Sequence, residues 1–382
     1  MGLPRHRSEA AGDTVPPLET SPDRGYARGR GLKGPHPWPI PSIRSTSSPD
    51  VGDADRESFE SKFQWIYRDN PAGPAIVWIL HDEGSRRDVG LATIFPRLFR
   101  VRGRSVRAGI AGDLQVHEGH RQAGPALQLE RAAVQGAWER GIEFMYGFPN
   151  ALAEPVMKRI GYRRVGPRAR YVKILRTAPY FARHRGTALW RRPFGFIVDQ
   201  FLRARDLQAA RPSKRKLASG PLAGFDDRFD ALWGEVSDAY PVLGERDSSY
   251  LRWRYPTVGR EAHGVFGLWD RGTSDLRGYV VHRRQGGSVD VRDAMAPADP
   301  EIWSALLAAF SGWAWGGGAH SLVWTGLQNE MLEQLCLKRA AFLRRPDSLH
   351  VYAFPGPSVA AGDPDFMNSA PWMLFQSDDD CP

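Results

Sequence analysis

The chain has 382 residues, of which 42% are hydrophobic and 11% aromatic, so it is long enough for two or three domains with buried cores. Its only cysteines, Cys336 and Cys381, exclude a disulfide framework and a cysteine-ligated zinc cluster, and they suit a reducing compartment. The N-terminal residues contain no apolar run typical of a secretory signal, and we therefore expect a cytoplasmic protein.

The formal net charge of +9 is concentrated in one segment. Residues 1–55 contain seven basic and seven acidic residues, which cancel. Residues 176–216, called the basic segment below, contain eleven lysines and arginines against two acids, Asp199 and Asp206. This segment therefore accounts for the whole excess of positive charge.

The composition of residues 1–55 predicts disorder. They contain nine prolines and seven glycines and few periodic apolar positions. Such a segment buries too little surface to offset the entropy lost on folding. Ordered structure is expected to begin near residue 56.

Residues 56–178 predict one α/β unit. Alternating or continuous apolar runs predict strands, and apolar positions three to four residues apart predict helices. The predicted strands cover residues 75–80, 88–99, 106–116, 142–150 and 169–175, and the predicted helices cover residues 127–140 and 151–162.

A weaker copy of this pattern follows in residues 218–356. Trp-Ile-Tyr at 65–67 and Trp-Arg-Tyr at 253–255 lie 188 residues apart, and the order of elements recurs. Gly90 and Gly278 have the same spacing. We infer an α/β (α+β) protein of two similar units, each with a mixed, mostly antiparallel sheet flanked by helices. A basic, aromatic linker at 179–217 would join them, and residues 357–382 are expected to form a flexible acidic tail.

Residues 302–328 contain no acid, lysine or arginine and include four tryptophans. The glycines at 316–318 would break a helix that crossed a bilayer, and the apolar run is interrupted. We interpret this window as a buried helix, a glycine loop and a buried strand.

The stretch Arg-Gln-Ala-Gly-Pro-Ala at 121–126 stands between a predicted strand and a predicted helix. A turn of small residues there can direct backbone N–H groups into one concavity, and the first N–H groups of a helix lack helical partners. Such a position can bind pyrophosphate, although glycine turns before helices are also common as plain connections.

This stretch resembles the signature of the GNAT acyltransferase superfamily, Arg/Gln-x-x-Gly-x-Gly/Ala between a strand and a helix. Here it stands as VHEGHRQAGPALQL at 116–129. The neighbouring YGFPNALAEPVMKRIGY at 146–162 is similar to the family's strand, asparagine, short helix and Gly-aromatic pair. The resemblance covers residues 59–176 well and residues 225–355 faintly.

The resemblance implies acetyl-CoA or another acyl-CoA as co-substrate and no metal. The strand ending at Val116 would splay away from the strand ending at Asn150. The pantetheine arm would bond to the backbone around Leu114 and Val116, with Asn150 on its other side. The pyrophosphate would meet the charge of Arg121 and the N–H groups of Gln122, Ala123, Gly124 and Ala126.

Two positions depart from the family pattern. Pro125 has no N–H and removes one donor from the phosphate cradle, although proline suits the start of a helix. Met157 stands where many members carry a tyrosine that protonates the leaving thiolate, and Met157 has no proton to donate. Tyr162, in the Gly-aromatic pair, is expected to pack.

Acyl transfer to an amine needs a base, because an ammonium group has no free electron pair. Asp113 and His117 lie on the strand beside the expected acyl group. Their spacing of four places both on one face of a regular strand. We expect Asp113 as the base, with His117 as the second candidate.

The second unit has no counterpart of the Arg-x-x-Gly loop, although Asp293 occupies a place like that of Asp113. We therefore expect a degenerate copy that shapes the acceptor pocket, with mere support of the first unit as the alternative.

The basic segment allows three interpretations. It can be a linker helix that packs its aromatic residues on a domain, or an interfacial helix on an anionic membrane at the inner face. Nucleic-acid binding is the least favoured, because no recognised reader motif accompanies the charge.

The expected function is acyl transfer, and acetyl transfer in particular, from acyl-CoA to the amine or hydroxyl of a small-molecule acceptor such as an amine or a sugar. A ternary complex is expected, since neither cysteine lies in the proposed site. Two alternatives stay open. One is a catalytically silent double-GNAT scaffold or membrane-surface adaptor, and the other is an aminoacyl transferase that uses charged tRNA.

Overall fold

Fourteen strands in the described part of the chain join into one sheet. The computed structural model describes residues 36–38, 60–120, 123–177, 191–210, 216–256, 263–362, 366–367 and 372–379. The strands in chain order are β1 His36–Trp38, β2 Ile76–Asp82, β3 Arg87–Val101, β4 Arg104–Val116, β5 Phe144–Gly147, β6 Arg163–Ile174, β7 Leu217–Leu222, β8 Val242–Gly244, β9 Gly264–Asp270, β10 Leu276–Gln285, β11 Ser288–Met295, β12 Ser321–Leu327, β13 Leu343–Pro355 and β14 Trp372–Met373.

Several helices begin where an aspartate side chain accepts a backbone N–H that lacks a helical partner. Asp226, Asp247 and Asp299 cap three of them in this way. The α-helices in chain order are α1 Ala123–Trp138, α2 Glu154–Ile160, α3 Arg191–Ala210, α4 Asp227–Val236, α5 Ser248–Arg254, α6 Pro300–Gly316, α7 Glu330–Leu332 and α8 Pro357–Gly362.

The strand order of the sheet is β1-β2-β3-β4-β5-β13-β6-β12-β11-β10-β9-β7. Along this path β4 is parallel to β5 and β11 is parallel to β12, whereas the other neighbours are antiparallel. The predicted fold class, a mixed and mostly antiparallel sheet with flanking helices, is confirmed.

The two segments of the chain exchange their last strands. β13, from the later segment, pairs with β5, and β6, from the earlier segment, pairs with β12. β6 and β13 also pair with each other at the centre. We call β1–β5 with β13 the first half of the sheet, and β6 with β7 and β9–β12 the second half. The predicted division into residues 56–178 and 218–356 therefore needs correction, because each segment closes the sheet of the other.

Residues 188 positions apart occupy matching places in the two halves. Trp65 Nε1 donates to Trp253 O at 2.5 Å, and Trp253 Nε1 donates to Trp65 O at 2.9 Å. A Cβ on Gly90 would lie 2.8 Å from Leu129 in α1, and a Cβ on Gly278 would lie 3.1 Å from Leu306 in α6. Both glycines allow a strand to lie directly against the helix of its own half.

Residues 36–38 correct the prediction of disorder at the N-terminus. They form edge strand β1, in which Pro37 is opposite Trp78 of β2. Proline is tolerated at an edge because its missing N–H interrupts no further ladder. The other residues of the segment 1–55 lie outside the described residues.

The C-terminal residues correct the prediction of a flexible acidic tail. Phe366, Trp372 and Phe375 are each 1% exposed, and Asp378 is fully buried. The Trp372 ring packs 5.4 Å from Phe144 of β5, between ring centroids. Aromatic residues in this segment complete the apolar core, and that burial outweighs the entropy of ordering a chain end.

The apolar window 302–328 is a buried helix, a glycine turn and a buried strand, as predicted. α6 ends at Gly316 and β12 begins at Ser321. Among the helices described, none has both the length and the apolar composition needed to cross a membrane.

The central part of the basic segment is helix α3, which packs against α6. Lys173 of β6 is 2% exposed, and its Nζ lies 2.8 Å from Asp206 Oδ2 of α3. The guanidinium of Arg203 lies 4.2 Å above the ring of Trp315 in α6. Residues 178–190 and 211–215 lie outside the described residues.

Candidate functional site

A groove opens where two parallel strands separate. Residues 108–110 of β4 pair with residues 144–146 of β5. β4 then continues to Val116, whereas β5 ends at Gly147. The groove beyond this point has a volume of about 870 Å³. The strand pair that was expected to splay therefore does so, and the gap is large.

Five of the residues predicted for the site line this groove. Leu114 and Val116 lie on one wall, with His117 directly after them. Ala126 contributes from the first turns of α1, and Asn150 lies across the gap, after β5. The expected pantetheine contacts thus lie around one space.

Helix α1 begins at Ala123, four residues before the predicted start at residue 127. Gly124 and Pro125 therefore lie in its first turn, where N–H groups have no helical acceptor. Pro125 costs little here, because its missing N–H would have been unpaired in the helix. A Cβ at Gly124 would meet nothing within 4 Å, so the space beside the first turn is open. Arg121 and Gln122 lie outside the described residues.

The side chain of Asn150 shapes the turn that leads into α2. Its Oδ1 accepts the backbone N–H groups of Leu152 and Ala153, each at 3.0 Å. This Asx-type turn orients the amide group on the groove wall. The Nδ2 amide makes no hydrogen bond within the described part of the chain.

Asp113 lies in a β-bulge with an unusual backbone conformation. Leu91 pairs with Gln115, but Thr93 pairs with Gly112, so β4 carries one extra residue between these pairs. The φ angle of Asp113 is +48°, in the left-handed region that non-glycine residues rarely adopt. Its carboxylate accepts a hydrogen bond from the hydroxyl of Tyr67. The bulge therefore directs this carboxylate to a specific partner.

The extra residue interrupts the alternation of β4 just before Asp113. Leu114 and Val116 both pack in the apolar layer beneath α1, so the chain alternates from Asp113 to His117 and their shared face stays a prediction. Only His117 lines the groove. Its Nδ1 accepts the backbone N–H of Gly119 at 3.3 Å.

Tyr67 is the residue of the site that the sequence analysis missed. It lies in the π-helical turn Gln64–Arg68, and its ring packs edge-on against Phe95 at 5.2 Å between centroids. The repeated Trp-x-Tyr at 65–67 and 253–255 was the available signal. It was interpreted only as a sign of duplication.

Met157 and Tyr162 lie in the apolar layer between the sheet and α1. They are 4% and 3% exposed. Tyr162 therefore packs, as expected, and its hydroxyl donates to Glu130 Oε1 of α1 at 3.0 Å. Neither side chain lines the groove. Met157, at the position where many GNAT members carry a proton-donating tyrosine, therefore offers no acid to the groove.

Asp293 lies beside a bulge in β11 of the second half, in a different environment from Asp113. Val281 pairs with Asp293, whereas His282 pairs with Val291. Asp293 is fully buried, and Arg246 Nε donates to its Oδ1 at 2.9 Å. Burial raises the pKa of Asp293 despite this guanidinium.

A buried ion network extends from this arginine to the C-terminal segment. Arg246 Nη2 lies 2.6 Å from Asp378 Oδ2, and Arg97 Nη2 lies 3.2 Å from Asp378 Oδ1. Burial opposes ionisation of Asp378, but the two guanidinium groups outweigh it and hold its pKa below the ordinary value. The network joins β3 of the first half to the bulge of the second half.

The described residues contain no group of three or more histidine, cysteine, aspartate or glutamate side chains that could hold a metal ion.

Comparison with known proteins identifies the fold. The sequence matches no protein-family model and no curated protein sequence. The structure is similar to a conserved protein of unknown function from Enterococcus faecalis V583, described as a probable N-acyltransferase, with 13% identity and a TM-score of 0.56 over 80% of this chain and 67% of that one. It is also similar to a GCN5-related N-acetyltransferase from Kribbella flavida, with 16% identity and a TM-score of 0.53 over 81% of this chain and 66% of that one. A GCN5-related N-acetyltransferase from Anabaena variabilis ATCC 29413 has 13% identity and a TM-score of 0.55 over 80% of this chain and 66% of that one.

These similarities show that the chain has the fold of the GNAT superfamily. At such low identity they define the fold alone. The chain spans about two thirds of the length of these structures.

Proposed function

We propose that this protein is an acyltransferase that moves an acyl group from acyl-CoA to the amine or hydroxyl of a small acceptor. The observation that carries the proposal is the groove between β4 and β5, which begins at the first turn of a 16-residue helix. Helix N-termini favour phosphate because unpaired N–H groups and the helix dipole act together.

The residues present fit acyl-CoA. The first turn of α1 offers the N–H groups of Ala123, Gly124 and Ala126, and the open space at Gly124 leaves room for a phosphate group. The walls at Leu114, Val116 and Asn150 would hold the pantetheine arm. Arg121 and Gln122, which lie outside the described residues, stay part of the proposed cradle on the basis of the sequence motif.

When bound, acyl-CoA supplies a thioester carbonyl for attack. Asp113 would accept the proton that the acceptor nitrogen or hydroxyl loses as the new bond to the acyl carbon forms and the bond to sulfur breaks. Tyr67 would orient the Asp113 carboxylate through its hydroxyl. His117, on the groove wall, is the second candidate for the base. The leaving thiolate would take its proton from water.

The second half of the sheet differs from the first half in a way that supports this assignment. Asp293, beside the bulge of β11, is engaged with a buried arginine. We therefore assign the second half to support and acceptor binding within a duplicated GNAT chain, rather than to a second reaction. A small acceptor and a cytoplasmic location are parts of the same proposal.

Isothermal titration with acetyl-CoA tests the proposal most directly. Gly124→Glu places bulk and negative charge beside the cradle, so the affinity should fall at least about tenfold, or about 1.4 kcal/mol. Gly124→Ala, whose Cβ meets nothing within 4 Å, is the matched control and should bind almost normally. Unchanged affinity in a folded Gly124→Glu protein would place the phosphate site elsewhere. No heat from the folded wild type at millimolar acetyl-CoA would remove the proposal.

Turnover separates the enzyme from the silent scaffold. Met157, buried and unable to donate a proton, is the observation that favours the scaffold. Thiol release from acetyl-CoA with a panel of amines and sugars should occur in the wild type. Asp113→Asn should retain acetyl-CoA affinity and lose most of this turnover. Binding without turnover for any acceptor would favour the scaffold.

A further inference from the structure

Arg292 is a buried arginine with no acid bonded to it. It is 6% exposed, and its Nε is buried without a hydrogen-bond partner. No ion pair or hydrogen bond joins it to any residue that the structure describes. The other buried arginines of this half differ, because Arg246 bonds to Asp293 and Asp378 and Arg254 donates to a backbone carbonyl. A buried charge is normally paired, because it is unfavourable to move a charge out of water without giving it a partner.

Arg292 lies close to the place in its sheet half that Asp113 occupies in the first half. Arg292 is the extra residue of the β11 bulge, between Val291 and Asp293, opposite Val281 and His282. The β4 bulge that contains Asp113 lies opposite residues 91–93, a neighbouring position in the 188-residue register. Bulges commonly redirect side chains beside functional sites.

Two further hydrogen-bonding groups near Arg292 also lack partners. The hydroxyl of Tyr255 and both ring nitrogens of His263 are buried without a hydrogen bond, and the two rings are 5.1 Å apart between centroids. Burial and then the positive charges of Arg292 and Arg254 lower the pKa of His263 to about 4, so the ring is neutral near pH 7 and carries one N–H.

The acids in this region do not supply the missing acceptor. Asp293 accepts from Arg246 through Oδ1, and its buried Oδ2 makes no hydrogen bond to Arg292, Tyr255 or His263. The charge of Asp290 reaches Arg292, but the two groups do not lie within ion-pair distance, and Asp290 also faces Arg283 and Arg170. A guanidinium, a phenol and an imidazole N–H thus stand together as donors.

We propose that Arg292, Arg254, Tyr255 and His263 bind an oxyanion, either a carboxylate or a phosphate group. A planar guanidinium suits such groups because it can donate two parallel hydrogen bonds. The site adjoins the first half through Arg254, which lines a cavity of about 20 Å³ together with Phe95 and Ile110. Phe95 in turn contacts Tyr67.

This geometry indicates the class of acceptor, an inference that rests on the proposed function. The acceptor would carry an acidic group held by Arg292 and a nucleophilic amine or hydroxyl directed toward Asp113. Amino acids and phosphorylated amines have this chemistry.

Thermal unfolding with added anions tests the site without any need for turnover. Inorganic phosphate or acetate should raise the Tm of the wild type by about 2 °C or more over sodium chloride of equal ionic strength, because ligands stabilise the state that binds them. Arg292→Met should lose this rise and yet melt higher than the wild type without anions, since it removes an unpaired buried charge. Separate titrations with phosphate and with acetate show whether the site prefers a phosphate group or a carboxylate.

Arg246→Met is the matched control, because the same substitution at a paired arginine should lower the Tm. Tyr255→Phe provides a milder change at the site and should weaken the anion effect while the protein stays folded. The proposal would be overturned if neither anion raised the Tm of the wild type, or if the anions raised the Tm of Arg292→Met as much as that of the wild type.

Acceptor kinetics complete the test. Arg292→Met should raise the KM for an amine bearing a carboxylate or phosphate at least tenfold, and should leave the KM for the corresponding uncharged amine and the affinity for acetyl-CoA unchanged. Equal effects on both amines would overturn the assignment to the acceptor. If acetyl-CoA fails to bind while the anion effect persists, the proposed function fails and the oxyanion site stands.

Discussion

Glu130 is an acid on the buried face of α1, behind the groove. It is 3% exposed, and its single described hydrogen bond comes from the Tyr162 hydroxyl. Burial raises its pKa to about 7, with the bond from Tyr162 opposing the rise. In the folded protein Glu130 therefore keeps its proton at pH values where the unfolded chain has lost it.

The raised pKa of Glu130 predicts pH-dependent stability. The folded state binds the proton of Glu130 more tightly than the unfolded state does. The resulting stabilisation of about 3 kcal/mol is present in full below pH 4.5 and is lost as the pH rises through about 7. Glu130→Gln keeps an acceptor for Tyr162 and cannot ionise. It should raise the free energy of unfolding by about 1 to 3 kcal/mol at pH 8 and change it little near pH 4.5.

Urea unfolding at the two pH values measures this difference. Glu139→Gln, an exposed position of the following turn, is the control and should change stability by less than about 0.5 kcal/mol at both. The same effect of Glu130→Gln at both pH values would show that folding does not raise the pKa of Glu130.

Helix α3 presents an apolar surface beside its packed face. Ile197 and Phe201, one turn apart, are 65% and 69% exposed. The opposite side is held by the ion pair of Lys173 with Asp206. The linker interpretation thus accounts for the packed face. The exposed pair and the nine excess positive charges of the basic segment support our proposal of contact with an anionic membrane.

Liposome flotation tests this surface. The wild type should float with anionic vesicles and remain behind with neutral ones. The double substitution Ile197→Ser with Phe201→Ser should reduce flotation at least threefold, because it removes most of the apolar contact. Leu152→Ser is the control, since Leu152 is 85% exposed on another element. A wild type absent from both floating fractions would end the membrane proposal.

Local elements were predictable where one pattern decides them. The strands predicted at 88–99 and 106–116 are β3 and β4. β3 begins one residue earlier and ends two residues later than predicted, and β4 begins two residues earlier. Alternation and small-residue turns depend only on neighbours in sequence. The bulge at Asp113 was not predictable in this way, because it arises from pairing with β3. The groove residues Leu114 and Asn150 came from a motif, whereas Tyr67 needed the tertiary contact.

At the scale of the whole molecule, the C-terminal segment holds the two halves together. Asp378 contacts Arg97 of β3 and Arg246, the partner of Asp293 in β11. The acids at 378–380 favour a flexible acidic tail when they are considered from the sequence alone. The burial of Asp378 depends on arginines more than 100 residues away, which no local pattern reveals.

Asp378→Ala should lower the free energy of unfolding by about 3 to 5 kcal/mol, because it leaves the buried guanidinium of Arg97 without its acid and leaves Arg246 with Asp293 alone. We expect calorimetry to show one transition, shifted as a whole, since exchanged strands couple both halves. Asp238→Ala removes a surface pair with Arg100 and should cost at most about 1 kcal/mol. Two separate transitions, or a loss in Asp378→Ala no larger than in the control, would contradict this coupling.

The exchange of strands also sets an order for biosynthesis. During translation the chain emerges from its N-terminus, so β5 is made long before β13, which ends at Pro355. Until then β5 has one open edge, and such edges promote wrong pairing between nascent chains. The groove therefore matures only after residue 355 has been made, and truncated polypeptides that end before β13 should depend on chaperones for their solubility.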